Sequence, residues 1–432
     1  MDNQLSNHGL ANRPPANRKR IFISTGEVSG DLHGSLLIQA LKENAPAFNL
    51  DLDIMALGGN RMAATGVQML GQTQSIGSIG LLESLPFIWP TFKVQNMAKR
   101  SLIHHPPDLI VMIDYLAPNL GIGSYARSQL SHVPTVFYIA PQEWVWSFGK
   151  KNTQQLVSIS DRLLAIFPQE AKYFERHGAT VTWVGHPLVD WVDQFPSRAG
   201  ARQQLGIEAH QKAIALFPAS RRQELTYLMP VMFETARRVQ NQLQEQSDDV
   251  HFWIPLSLET FRPQVEQAIR DYQIQATIVT DNTPTVIAAA DLALAKSGTV
   301  NLELALKDVP QLVIYRVNPI TAWLARKVLN FSIPFMSPPN LLLSEEIVPE
   351  FLQEEANPTD LSQAAVALLT DPHAQQAMRQ NYERMRQAAG QKGVCDRAAR
   401  VILEMLLAKN SSSAHSKIND TDENHFPSKK IQ

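Results

Sequence analysis

The chain has 432 residues, of which 44% are hydrophobic and 19% charged, and its formal net charge is −2. That describes a globular protein with room for two ordinary domains, and it gives no electrostatic reason to expect nucleic acid as a partner. A single cysteine, Cys395, excludes an intramolecular disulfide and a thiolate zinc cluster.

Residues 1–19 are polar, carry prolines and lack an apolar h-region, so a flexible terminus is expected there and not a secretory leader. From residue 20, apolar runs alternate with helical patterns: RIFIST, LDIMALGG, DLIVMIDY, TVFYIA, RLLAIF and VTWVG. After Gly185-His186-Pro187 a more polar stretch, DQFPSRAGARQQLGIEAHQ, reads as a boundary. The same grammar then resumes with IALFPAS, HFWIPLS, ATIVTD, LALAKSG and QLVIY. Alternating β and α elements predict parallel sheets with helices on both faces. The expected fold is therefore α/β, with two tandem Rossmann-like, doubly wound domains at 20–190 and 191–408 and a cleft between them. The last helix is allowed to pack back on the first domain. Residues 409–432 are rich in Ser, Asp and Lys and read as a disordered tail. No window approaches the roughly 20 consecutive apolar residues of a membrane span.

In sheets of this kind ligands sit beyond the carboxyl ends of the strands, where loops meet helix starts. The first such loop, GEVSGD, carries Glu27 and Asp31 and no cation. Two carboxylates repel a pyrophosphate, so Gly26, Glu27, Ser29, Gly30 and Asp31 suit the hydroxyl and amide groups of a sugar. Glu27 and Asp31 have a second reading, as acidic caps of the helix expected to start near Leu32. In the second half the loops are FPASRRQE and AKSGTVNLE. Helix starts after Ser220 and Thr299 offer N–H donors, and Arg221 adds a charge-assisted hydrogen bond. An anionic leaving group is expected on that half.

GEVSGDLHG, GGNRMAATG, SIGLLESL, IAPQEWVW, FPQEAKYF, VGHPLVD, FPASRRQEL, SGTVNLE and PPNLLLSEEIVPEFLQ stand in this order. The run from about 20 to 400 resembles the lipid-A-disaccharide synthase family. The resemblance implies a GT-B glycosyltransferase that inverts the donor anomeric centre. It implies transfer from UDP-2,3-diacylglucosamine to 2,3-diacylglucosamine 1-phosphate, giving a β-1,6 disaccharide and UDP. It also implies a cytoplasmic protein attached peripherally to the inner membrane, with no cofactor and no metal in the chemistry. A homodimer is left open.

On that resemblance Ser220, Arg221, Ser297, Gly298 and Thr299 hold the diphosphate, and Glu303 the ribose. Tyr315, Arg316 and Asn340 line the donor side, while Asn119, Trp144 and His186 join the acceptor loop. Stabilising a departing diphosphate without a metal requires such donors aimed at the developing charge. The base is expected among Asp114, Glu27 and Glu143. Where the family carries IDAPDFN this chain has Ile113-Asp114-Tyr115-Leu116-Ala117-Pro118-Asn119, with alanine in place of the second aspartate. PASRR stands where the family prefers PGSR, and Lys150 and Lys151 stand near a usual arginine. Two rivals remain at this level. One is a related GT-B transferase or epimerase with another substrate; the other is a non-catalytic lipid or nucleotide-sugar binding homologue.

Other candidates are weaker. DLD at 51–53 imitates a metal-binding motif but lies at the amino edge of its strand, and His104-His105 has no second cluster at ligand spacing. A metal is not expected. His186 reads equally as core packing and as a substrate contact. LLESLPFIWPTFK (81–93) and TAWLARKVLNFSIPF (321–335) are apolar and aromatic with basic flanks, suited to lipid contact or to ordinary packing.

Overall fold

The computed structural model describes residues 17–26, 28–73, 88–145, 150–318 and 335–419. Glu27, most of the 81–93 stretch and nearly all of the 321–335 stretch lie outside the described residues. The first sheet is built from β1 (Asn17–Ser24), β2 (Leu50–Gly58), β3 (Gln68–Gln72), β4 (Leu109–Ile113), β5 (Thr135–Tyr138), β6 (Arg162–Ala165) and β7 (Val181–Trp183). Its spatial order is β3-β2-β1-β4-β5-β6-β7. The second sheet comprises β8 (Lys212–Phe217), β9 (Val250–Pro255), β10 (Ala276–Val279), β11 (Leu292–Lys296), β12 (Gln311–Tyr315) and β13 (Glu350–Leu352), in the order β10-β9-β8-β11-β12-β13. The strands pair in parallel throughout. Both sheets thus follow the 3-2-1-4-5-6 order of a Rossmann sheet, the first with one strand more.

Each apolar run named above is a strand because parallel strands covered on both faces need continuous apolar side chains. Ile21, Phe22, Ile23 and Leu109–Ile113 are fully buried, as are Ile214, Leu216 and Leu292–Ala295. The doubly wound order reverses between β1 and β4, and again between β8 and β11. Those two reversals place the loops after Ser24, Ile113, Phe217 and Lys296 side by side in pairs, through the registers Ser24↔Met112 and Phe217↔Ala295.

The polypeptide passes between the sheets twice. The outgoing pass follows β7, and the returning pass leads into the last helix, Val394–Asn419. That helix packs on Val28–Asn44 of the first sheet's cover and buries Val394, Ala398, Ile402, Leu403 and Leu406. Asp190 accepts from Gly393 N (2.7 Å) and Cys395 N (2.8 Å), which caps it. The two passes touch: His186 N donates to Ala389 O (2.8 Å), and a Cβ on Gly390 would stand 3.1 Å from Gly185 Cα. Both glycines have positive φ, 91° and 97°, which leaves glycine as the residue that fits there without strain. The last helix continues to Asn419, into the stretch read above as a disordered tail. No described helix is long and apolar enough to cross a membrane.

Candidate active site

At the first reversal the backbone carries the geometry. Asp114 and Tyr115 both lie in the left-handed region (φ 48° and 51°), as does Ile139 after β5 (φ 60°). Such conformations cost about 1–3 kcal/mol each for residues with a side chain and persist only where their surroundings impose them. Asn119 is part of what imposes them. It is fully buried, accepts from Ser24 Oγ (2.8 Å) and donates to Asp114 O (2.7 Å) and Ile113 O (3.1 Å). The turn puts the Tyr115 ring on the Gly26 backbone, where a Cβ would stand 1.9 Å from Cδ1. Gly30 is held as closely against Thr25 Oγ1.

Asp31 is fully buried and accepts from Gly59 N (2.7 Å), Arg61 N (2.9 Å) and Met62 N (3.0 Å). Those three N–H groups open the neighbouring helix Asn60–Ala64, which Asp31 therefore caps. Ser29 and Asp114 are half-buried beside it on the same strand-end face.

Behind these loops lies a buried polar layer. Glu170 accepts from Ala140 N (3.1 Å), Ile166 N (2.8 Å) and Phe167 N (3.2 Å). Burial outweighs those donors and, with the charge of Asp114, pushes its carboxyl up to about 8. The rings of His186 and Phe167 lie 5.4 Å apart, those of His33 and His186 5.7 Å, and Trp144 and Phe167 5.8 Å. Burial lowers His33 to about 4 and holds His186 well below its ordinary value, so both imidazoles are neutral at pH 7. His186 Nδ1 accepts from Leu188 N (3.2 Å), the arrangement of a packed histidine. Glu143 is buried, with Oε1 receiving Asn152 Nδ2 (3.2 Å).

At the second reversal charge carries the geometry. Glu224 Oε2 accepts from Ser220 N (2.5 Å), Arg221 N (3.1 Å) and Ser220 Oγ (3.3 Å), so these donors meet a carboxylate already. Its other oxygen pairs with Arg221 Nη1 (3.5 Å) and Lys296 Nζ (3.7 Å). Tyr315, at the end of β12, lies within electrostatic reach of Arg221 and Glu224, and burial raises its hydroxyl. Ser297 Oγ donates to Met336 O (2.7 Å), and Asn301 Oδ1 takes Gly298 N (2.8 Å) at the head of the helix Thr299–Leu306. Asn340 is saturated by protein. It donates to Val348 O and Glu350 Oε1 and accepts from Ile347 N and Val348 N, which fixes the loop ahead of β13. Arg316 lines a cavity of about 250 Å³ with Tyr227, Pro230 and Gln353.

Glu303 joins the two sides. Trp191 Nε1, on the outgoing pass, donates to its Oε1 (3.0 Å), and the Arg61 guanidinium of the first domain stands 5.4 Å over the Trp191 ring. Burial pushes the Glu303 carboxyl up to about 7 against the Trp191 hydrogen bond and the Arg61 charge. Gln169 Nε2 of the first domain donates to Leu342 O of the second (2.9 Å). The two domains are therefore bonded to each other at this junction. Glu170, Glu224, Lys296 and Trp191 were not picked out from the sequence. Glu170 and Glu224 each stand at the third position of their helices and reach back to the N–H of the residue before the helix. Of the weaker motifs, Asp53 of DLD pairs with Arg20 (2.8 Å), and His104 ends the helix Ile88–His104.

Two facing Rossmann-like sheets with paired switch-point loops define the GT-B architecture. The S. aureus MnaA–UDP co-structure has the same fold, with a TM-score of 0.60 at 14% identity over 89% of this chain and 96% of that one. A family model described as lipid-A-disaccharide synthetase matches residues 21–405, and the chain belongs to that family. It is 54% identical over 385 residues to the lipid-A-disaccharide synthase of Gloeothece citriformis, covering 89% of this chain and 99% of that protein. With the enzyme of the same name from Synechocystis sp. it shares 48% identity over 397 residues, 91% and 100% of the two chains.

Proposed function

We propose that the protein is a UDP-dependent hexosyltransferase that makes the lipid A disaccharide. It moves 2,3-diacylglucosamine from its UDP derivative to the 6-hydroxyl of 2,3-diacylglucosamine 1-phosphate. The observation that carries this reading is the family match, which spans both sheets and the junction and not one lobe alone. In the proposed mechanism UDP rests on the second domain, with Arg221, Ser297, Gly298 and Thr299 at its diphosphate and Glu303 at its ribose. Trp191 holds one Glu303 oxygen and so orients the other. Asn340 acts through the loop it saturates. The acceptor sugar lies against Gly26, Ser29 and Gly30, on a surface shaped by Asp31 and Asn119.

The acceptor oxygen attacks the anomeric carbon from the face opposite UDP, the base takes its proton, and the C1–O bond to the β-phosphate breaks. Charge then develops on the diphosphate, where cations and oriented N–H groups stabilise it more than the ground state. Asp31 and Asp114 are both described carboxylates at the acceptor-side reversal, and three backbone N–H groups already hold Asp31, so the proton is assigned to Asp114, with Glu27 of the loop after β1 as the other candidate. An epimerase reading rests on fold likeness alone.

The proposal includes peripheral attachment to the inner membrane. Supporting it, Trp89 and Phe92 are 83% and 56% exposed on the helix Ile88–His104, with Lys93 next to them. Aromatic and basic side chains of this kind anchor a protein at a lipid interface. The deciding experiment incubates purified protein with both acylated substrates and reads UDP and disaccharide together. Equal yields support the proposal. UDP alone indicates another acceptor or hydrolysis, and binding without turnover indicates a non-catalytic homologue. Flotation with anionic vesicles, lost on Trp89→Ser and Phe92→Ser, tests the attachment.

A further inference from the structure

Lys296 is the last residue of β11 and reaches across the second reversal to Glu224, which belongs to the loop and helix after β8. Its Nζ also donates to Ser297 O (3.3 Å), and a Cβ placed on Gly298 would come within 2.9 Å of it. The ammonium thus lies directly on the Ser297–Gly298 turn. Arg221 Nη1 pairs with the same Glu224 oxygen (3.5 Å). The side chains of Arg221, Lys296 and Glu224 are only 24%, 13% and 16% exposed. One carboxylate oxygen therefore gathers two largely desolvated cations within the reach of one small dianion. Glu224 is itself fixed by the Ser220 and Arg221 donors on its second oxygen.

We propose that Lys296 is the second cation of the diphosphate clamp, opposite Arg221. Glu224 is the internal counter-ion that holds the pair in register until a nucleoside diphosphate displaces it from them. The proposal rests on the donor-site reading above and adds to it a residue and a device. Lys296 touches the leaving group, whereas Glu224 is a positioning residue. As UDP departs, both cations close again on Glu224, which favours product release over retention.

UDP and uridine binding are compared by titration calorimetry and competition for the parent, Lys296→Met, Lys296→Arg, Glu224→Gln and Arg221→Ala. A charge-assisted contact of this kind is worth about 1.5–3 kcal/mol, so Lys296→Met is expected to weaken UDP about 10-fold or more and leave uridine unchanged. Lys296→Arg recovers most of the loss, which a merely structural role would not predict. Glu224→Gln keeps a capping oxygen but removes the competing charge, and UDP binds a few-fold tighter. Thermal melting confirms that each variant is folded, and Lys296→Arg carries the test if the methionine variant is not. If Arg221→Ala loses UDP while Lys296→Met does not, the clamp falls and the donor site stands. If neither variant changes UDP binding, the donor-site reading falls with it. Unchanged or weaker UDP binding by Glu224→Gln overturns the counter-ion role.

Discussion

The two reversals solve one problem with different materials. At the first reversal, the proposed acceptor side, loop shape comes from left-handed backbone at Asp114, Tyr115 and Ile139, a glycine under a tyrosine ring, a buried amide donating to backbone carbonyls and a buried carboxylate accepting from backbone N–H. At the second reversal, the proposed donor side, it comes from ion pairs converging on Glu224. A sugar with fatty chains offers few charges to grip, so its site must be preformed in shape. A diphosphate offers charge, and its site can keep cations paired until it arrives.

Breaking the donor side has the largest expected effect. Arg221→Ala removes a cation and a charge-assisted bond, and should weaken UDP about 10-fold and reduce kcat/KM about 100-fold, with steady-state kinetics as the check. Unchanged kinetics would remove Arg221 from the donor site. Breaking the acceptor side should show first in stability. Asn119→Ala leaves Ser24 Oγ and the Ile113 and Asp114 carbonyls without this buried partner. A loss of about 2–3 kcal/mol is expected in urea unfolding; a neutral result would show that the left-handed turn supports itself.

The smallest effect sharpens the contrast through pH. Glu170 has a carboxyl pKa raised from 4.5 to about 8. A carboxyl raised on folding contributes most below its unfolded value, and the contribution is lost as pH rises through 8. Glu170→Gln stays neutral but offers one accepting oxygen where the carboxylate uses two. It should therefore cost about 1 kcal/mol at pH 5 and progressively less toward pH 9. Melting temperatures across that range test this, and parallel curves for parent and variant would contradict it.

The sheets were legible because buried parallel strands must be apolar throughout, from Ile21-Phe22-Ile23 to Leu312-Val313-Ile314. β3 and β13 were not, because they are edge strands and their Gln68–Gln72 and Glu350–Leu352 segments are short and mixed in polarity. The loops after β1, β4, β8 and β11 were legible as strand-end loops, and the strand order sets them at the two reversals. The duties of single residues within them were not. Asp31, Asn119 and Asn340 look in sequence like groups awaiting a substrate, yet each is bonded to backbone. A sequence shows that a polar side chain stands at a strand end. It does not show whether the chain's own amides reach it before a ligand does. Lys296 escaped for a related reason, since its partner Glu224 arrives from another strand's loop, 72 positions away in sequence.

The paired passes at Gly185 and Gly390 bear on how the enzyme opens. Two threads of backbone in direct contact, tied by His186 N to Ala389 O, resist sliding of one lobe past the other more than rotation about their line of contact.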